Sequence, residues 1–333
     1  MKKIEKKPID LEQIKQSNED DLFYFVDNNT LLSERITAPK YSYWKSVFRI
    51  FFRKKVNWII LILLLFILVM TFIFPFFFPS YDVFKYINLE DLGAKVLSPV
   101  EALNYFNGDW IYCLGTGFLG EPIFAMIWMS ARVSLGLSII CAAINMTFGI
   151  LIGAVWGYSK RLDMILNVVY NIVANVPYIL LISVLVYVIG SGFGPFIFAL
   201  TITGWIGIAY FFRTQVMIIR DREYNLASRC LGTRTFKVVT RNVLPFLVSV
   251  IVTILATELP GYVSMEVYLT YIGIGMSVDI PSLGHMIEDF QGSFTTYPWA
   301  FWSPVAIAAA ITIILYVLGQ NLADASDPRS HMQ

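Results

Sequence analysis

Between residues 56 and 78 lie 23 consecutive positions without a charge. At a rise of about 1.5 Å per residue such a run makes a helix of about 34 Å, and the hydrocarbon core of a bilayer is about 30 Å thick, so it crosses once. The run begins behind 55 mostly polar residues and no small-residue cleavage site follows it, so it reads as a retained first helix rather than a cleaved signal. Composition agrees. Of 333 residues 57% are hydrophobic and 15% charged, where an ordinary soluble domain carries about 25% charged residues. That is too little polar surface to coat a soluble fold of this length, which excludes a soluble enzyme.

Further apolar runs follow at about residues 133–158, 164–189, 194–212, 246–275 and 299–318, giving six spans and an all-α polytopic membrane protein. An even number of crossings puts both termini on one side. Lys and Arg decide which, because cytoplasmic loops keep the positive excess. Of the 25 basic residues, 22 fall on one face, in residues 1–55, the turn at 158–163, segment 213–245 and the C-terminal tail. Only Lys85, Lys95 and Arg132 fall on the other. Both termini are therefore expected in the cytoplasm, with residues 79–131 and 276–298 as outer loops. The chain divides into a cytoplasmic tail, residues 1–55, and a transmembrane domain, residues 56–333. A net charge of +1 conceals this polarity and points to no nucleic acid.

The tail gathers Tyr41, Tyr43, Trp44, Phe48, Phe51 and Phe52 ahead of Arg53, Lys54 and Lys55. Aromatic rings settle at headgroup level and basic side chains favour anionic lipid, so this part reads as an interfacial helix resting on membrane lipid. Contact with a partner protein is the other reading.

Within the spans, Gly149, Gly153 and Gly157 recur every fourth residue and give the second helix a face that a neighbour can approach closely. Asn167, Asn171 and Asn175 recur likewise in the third, just ahead of Pro177, where a kink is expected. That stripe is either interhelical hydrogen-bonding glue or the lining of a hydrated path, for which Asn171 and Asn175 are the candidates. The fifth run is longer than one crossing needs and contains Pro260-Gly261, so a broken or kinked helix is expected there. It also carries Glu258 and Glu266. A carboxylate at membrane depth is costly unless it faces the bundle interior, a watery cavity or a partner, so both are candidates for a translocation path, with pairing inside the bundle as the alternative.

No Gly-Lys-Ser/Thr of a phosphate-cradling loop occurs, and no segment on the basic side is as long as a nucleotide-binding domain. His285 and His331 lie far apart, and Cys113, Cys141 and Cys230 fall in three different segments. Neither a metal site nor a catalytic constellation is expected, and the chain is read as no enzyme and as binding no cofactor of its own.

The segment from 213 to 245 holds seven basic residues and reads helix, stop, helix. Residues 223–231 are helix-compatible, Gly232 fits a C-terminal cap, Thr233 or Thr235 can cap the next turn, and Leu244-Pro245 ends it at the membrane. This hairpin resembles the EAA loop of ABC importer permeases, which plugs into a cleft of an ATPase subunit. Leu226, Ala227 and Ser228 stand where that family has Glu-Ala-Ala, Gly232 matches its glycine, and Leu244 and Pro245 match its terminal pair. The acidic residue of the triplet is missing here, and Glu223, three residues earlier, is the candidate to supply the charge. Residues 115–120 (Gly-Thr-Gly-Phe-Leu-Gly), residues 131–135 (Ala-Arg-Val-Ser-Leu) and the Asp-Pro-Arg at 327–329 are similar to stretches of peptide permeases. Residues 37–44 and 223–231 are similar to the Gram-positive AmiD-like members of the OppC type, and the likeness runs in order over nearly the whole chain.

The resemblance implies the type I ABC importer (MetI-like) permease fold, in the multi-pass position of a bacterial plasma membrane protein. It implies a heterodimer with a B-type permease subunit, two ABC ATPase subunits like OppD and OppF that carry ATP and Mg, and an extracellular peptide-binding lipoprotein like OppA. Oligopeptide is the implied substrate. From another class, an ion-coupled secondary transporter would use Glu258 and Glu266 as coupling residues; its spans would show an internal repeat, and none is visible.

Overall fold

The computed structural model describes residues 42–73, 95–277 and 279–327. The tail before residue 42, the last residues expected in the first span (74–78), the outer loop to residue 94 and the C-terminal residues 328–333 lie outside the described residues. The chain divides into two units, residues 1–43 and 44–333, and all but the first residue of the described helices lie in the second.

Twelve α-helices follow one another among the described residues, here labelled in chain order. They are α1 (Tyr43–Arg53), α2 (Lys55–Leu68), α3 (Pro99–Tyr105), α4 (Ile123–Tyr158), α5 (Lys160–Ala174), α6 (Tyr178–Ile189), α7 (Phe193–Arg220), α8 (Glu223–Cys230), α9 (Thr235–Val238), α10 (Val248–Tyr271), α11 (Leu283–Phe290) and α12 (Pro298–Ser326). By length and apolarity the run Lys55–Ile73 (α2 and the π-helical turn after it), α4, α7, α12 and the run Thr235–Tyr271 can each cross a membrane, and the bent pair α5 and α6 makes a sixth crossing if counted as one.

The glycine stripe explains the tightest pair. A Cβ at Gly149 would sit 2.6 Å from the Ile208 side chain and one at Gly157 would sit 2.5 Å from the Arg213 carbonyl oxygen, so α4 lies almost backbone to backbone on α7. Three apolar clusters stack along the bundle. One gathers Ile123, Trp128, Val263, Met286 and Ala300 at the start of α4. A second gathers Leu137, Ile182, Phe196 and Leu269 in the middle. The third joins Tyr158, Phe212 and Val216 to Val238, Val239 and Val243 at the far end. At 36 residues, or about 54 Å, α4 exceeds the hydrocarbon core by several turns. It begins ten residues before the predicted span, because Ile123, Ala125, Ile127 and Ala131 are buried against the segment that precedes them.

The two proline sites behave differently, one letting its helix continue and the other ending it where a kink was expected. At Pro260-Gly261, where a broken or kinked helix was expected, the chain does not break: α10 runs through it as one helix. The proline leaves the Ala256 carbonyl without its usual donor, and α12 closes on that turn: a Cβ at Gly319 would lie 2.7 Å from Ala256 Cα. The sharp bend falls instead at Asn175 to Pro177, where α5 and α6 meet at 82°. There the ring of Pro177 restricts Val176 and ends α5.

At the amino end α1 buries Val47 and Phe51 and leaves Trp44, Phe48 and Phe52 exposed, with Phe52 against Trp58 at 5.0 Å. Lys54 donates to Asn321 at 3.1 Å, an exposed contact that links this corner to the end of α12.

Candidate functional site

Two places carry the residues singled out in the sequence: the hairpin between α7 and α10, and a cavity inside the bend of α5 and α6.

The root of the hairpin is fixed by polar contacts. Asn225 is fully buried and donates from Nδ2 to the Ile219 carbonyl at 3.0 Å, while Arg220 donates to the Gly157 carbonyl at 3.1 Å. The first ties α8 to the end of α7, and the second ties that end to α4. Helix α8 stops at Gly232, whose φ is +77°. Its N–H donates to Arg229 O at 2.9 Å and the Thr233 N–H donates to Ser228 O at 3.1 Å, the two bonds of a helix end closed by a left-handed residue. Arg234, not Thr233 or Thr235, precedes α9, and no side chain caps it. Nor does Leu244-Pro245 end the second arm. A π-helical turn (Val239–Val243) and a 3₁₀ turn (Leu244–Leu247) carry the chain straight into α10, with Pro245 in a first-turn position that needs no N–H.

The hairpin's underside is apolar and buried, through Val238, Val239, Val243 and Leu247. Asn242 closes its two arms by donating from Nδ2 to Ser228 Oγ at 3.1 Å. Its free surface is also apolar: Leu226 is 42% exposed, Phe236 63% and Leu231 86%. Arg222, Arg229, Arg234, Lys237 and Arg241 are exposed around them. Glu223 and Ala227 are exposed too, Glu223 in the first turn of α8 where a carboxylate complements the free N–H groups. Leu244 is half-buried and Pro245 exposed. An apolar patch with a basic rim, held on a braced hairpin, is shaped to press into another protein.

The cavity has a volume of about 520 Å³ and is lined by α5, α6, α7 and α10, with Tyr170, Tyr178, Thr203, Glu258 and Tyr262 as its polar residues. Asn145 of α4, fully buried, supports it from behind. Its Nδ2 donates to the Tyr262 hydroxyl at 2.6 Å and lies 3.3 Å from Leu200 O, which also accepts from the Tyr178 hydroxyl at 2.9 Å. Two tyrosine rings are thereby held in place by one buried amide and one carbonyl.

The candidate path residues separate. Glu258 lies in the cavity wall. Asn171 and Asn175 are exposed and do not line it, although their neighbours Val173, Ala174 and Val176 do; the Asn175 side chain turns back to the Asn171 carbonyl. Glu266 stands eight residues beyond Glu258, about 12 Å along the helix. It is fully buried, accepts from Thr270 Oγ1 at 3.3 Å, and faces Ser134 of α4 and Ser282 at the start of α11. It sits where α10, α4 and the start of α11 meet and does not line the cavity. Asn145, Asn225 and Leu231 were not anticipated; an Asn inside an apolar helix was the one signal available for Asn145.

A bundle of helices long and apolar enough to cross a membrane, with a braced hairpin joining α7 to α10, defines a membrane-embedded component. The family model described as "Binding-protein-dependent transport system inner membrane component" matches residues 146–331, and that described as "N-terminal TM domain of oligopeptide transport permease C" matches residues 42–93. The oligopeptide transport system permease protein AmiD of Streptococcus pneumoniae is 42% identical over 93% of this chain and 97% of its own length. The dipeptide transport system permease protein DppC of Bacillus subtilis is 31% identical, over 96% and 97% of the two chains. OppC of the same organism, an oligopeptide permease, is 29% identical over 89% and 93%. The chain belongs to the inner membrane components of binding-protein-dependent transport systems, in their oligopeptide permease C branch.

Proposed function

We propose that this chain is one of two permease subunits of an ATP-driven importer of oligopeptides in a bacterial plasma membrane, both termini facing the cytoplasm. A B-type permease completes the pathway, two ATPase subunits bind ATP and Mg, and an extracellular lipid-anchored binding protein delivers peptide. The observation that carries the reading is the hairpin, an exposed apolar surface rimmed by arginines on an internally braced support. Glu223, Leu226, Ala227, Ser228, Gly232, Leu244 and Pro245 build that docking element, and Leu231 and Phe236 supply its most exposed apolar contacts. ATP-driven closure of the ATPases would move the hairpin as a lever rooted through Asn225 and Arg220 in α7 and α4. The exposed aromatic side of α1 would rest at the lipid headgroups. The ion-coupled alternative needs Glu258 and Glu266 in one site, and the cavity contains only the first of them.

Leu231→Asp tests the hairpin. Covering a side chain this exposed contributes about 1.5–3 kcal/mol, so the variant should bind the ATPase subunits about tenfold to a hundredfold more weakly while still inserting in the membrane. Unchanged binding would remove the hairpin from the interface.

A further inference from the structure

Among the described residues lining the cavity, Glu258 is the one charged group, and none is Lys, Arg or His. Three tyrosines, Tyr170, Tyr178 and Tyr262, stand in the same wall. A carboxylate beside aromatic rings, away from any cationic partner, is the chemistry that receives an ammonium group: the carboxylate accepts its hydrogen bonds and the ring faces attract its charge. The Tyr178 and Tyr262 hydroxyls are already engaged with Leu200 O and Asn145, so their rings are set before a ligand arrives. The Thr203 hydroxyl is buried and has no hydrogen-bond partner among the described residues. A volume of about 520 Å³ suits one end of a peptide better than a whole oligopeptide. Side chains differ from one peptide to the next, but every free peptide carries an α-ammonium at its first residue, so a general peptide path gains most by reading that group.

We infer that the cavity receives the amino-terminal ammonium of the peptide in transit, with Glu258 as its counter-ion, the rings of Tyr178 and Tyr262 as its walls and Thr203 as a further hydrogen-bonding group. This rests on the peptide-importer reading above. It makes Glu258 a substrate-orienting residue, so that the peptide passes this subunit with its amino end held in the bend of α5 and α6.

The test uses the assembled importer with its binding protein and a short alanine-based peptide carrying a photoreactive residue at either its first or its last position. Turnover is stopped with vanadate, the sample is irradiated, and labelled residues are mapped by mass spectrometry. The first-position probe should label the wall around Tyr178, Thr203 and Tyr262 in strong excess over the last-position probe. The excess should fall roughly tenfold or more in Glu258→Gln and with an N-acetylated peptide, since each removes a charge-assisted hydrogen bond, and survive in part in Glu258→Asp. Equal labelling by both probes, an excess that survives both Glu258→Gln and acetylation, or no cavity labelling in an importer that takes up peptide would each overturn the inference and leave the proposed function standing. A wild-type assembly that takes up no peptide would overturn the function itself.

Discussion

Gly232 sets the shape of the docking hairpin, and its environment allows the cost of replacing it to be worked out. Its φ of +77° lies in the left-handed region, which costs a residue with a Cβ about 1–2 kcal/mol. Among the described residues, none beyond its two chain neighbours comes within 4 Å of where a Cβ would stand, so the backbone cost is uncontaminated by a clash. Gly232→Ala should therefore destabilise the braced hairpin by about 1–2 kcal/mol, weakening ATPase docking about fivefold to thirtyfold. Asn tolerates this conformation through its short polar side chain, so Gly232→Asn should lose less, and the β-branched Gly232→Val should lose more. Gly232→Pro should be worst, because it locks φ near −65° and deletes the N–H that donates to Arg229 O. The assay is equilibrium binding of purified ATPase subunits to the permease in detergent, with the thermal midpoint of the membrane bundle followed in parallel. Affinity should fall in the order Gly, Asn, Ala, Val, Pro while the midpoint stays put. Equal affinity for Gly, Ala and Val, or an Asn variant as weak as Val, would refute the argument.

Other expectations concern the bundle and the segment before α4. Gly153→Ala puts a methyl group into the Ala209 backbone of α7; it should cost about 1–3 kcal/mol and lower the thermal midpoint in detergent, and an unchanged midpoint would show that the α4–α7 approach is looser than described. Glu121, just before α4, has its carboxyl pushed above the ordinary 4.5 by burial, which outweighs the hydrogen bonds it accepts. A raised value in the fold means that the folded state holds the proton more tightly, so the stabilisation is present below 4.5 and is lost as pH rises through the folded value. The midpoint of the wild type should fall across that window relative to Glu121→Gln, and parallel curves for the two proteins would contradict the assignment.

What the sequence disclosed and what it withheld follow from the range of the forces involved. Long uncharged runs, a small-residue stripe, Pro177 after Asn175 and a glycine after an eight-residue helix are local signals. The spans, the close face of α4, the bend and the Gly232 cap came from them directly. Whether Pro260 breaks its helix was not legible locally, because α12 closes on the same turn with Gly319 against Ala256 from more than fifty residues away. Leu244-Pro245 looked like a stop for the same kind of reason: proline is tolerated in the first turn of a helix that continues, and the following residues do continue it. The asparagine stripe and the two glutamates gave polar groups within apolar helices with no indication of direction. Only packing shows that Glu258 lines the cavity, that Glu266 is enclosed by hydroxyl groups and that Asn171 and Asn175 point away. Asn145 and Asn225 act through carbonyls on other elements or beyond the next turn, which no spacing rule reveals.

The central claim is that this chain moves peptide with energy supplied from bound ATPase subunits. Vesicles holding this chain, its partner permease and the ATPases, with binding protein and labelled peptide outside and ATP inside, test it most directly. Peptide should accumulate only with ATP present and stop accumulating when Leu231→Asp replaces the wild-type chain. Accumulation that persists without ATP and follows a proton or sodium gradient would contradict it.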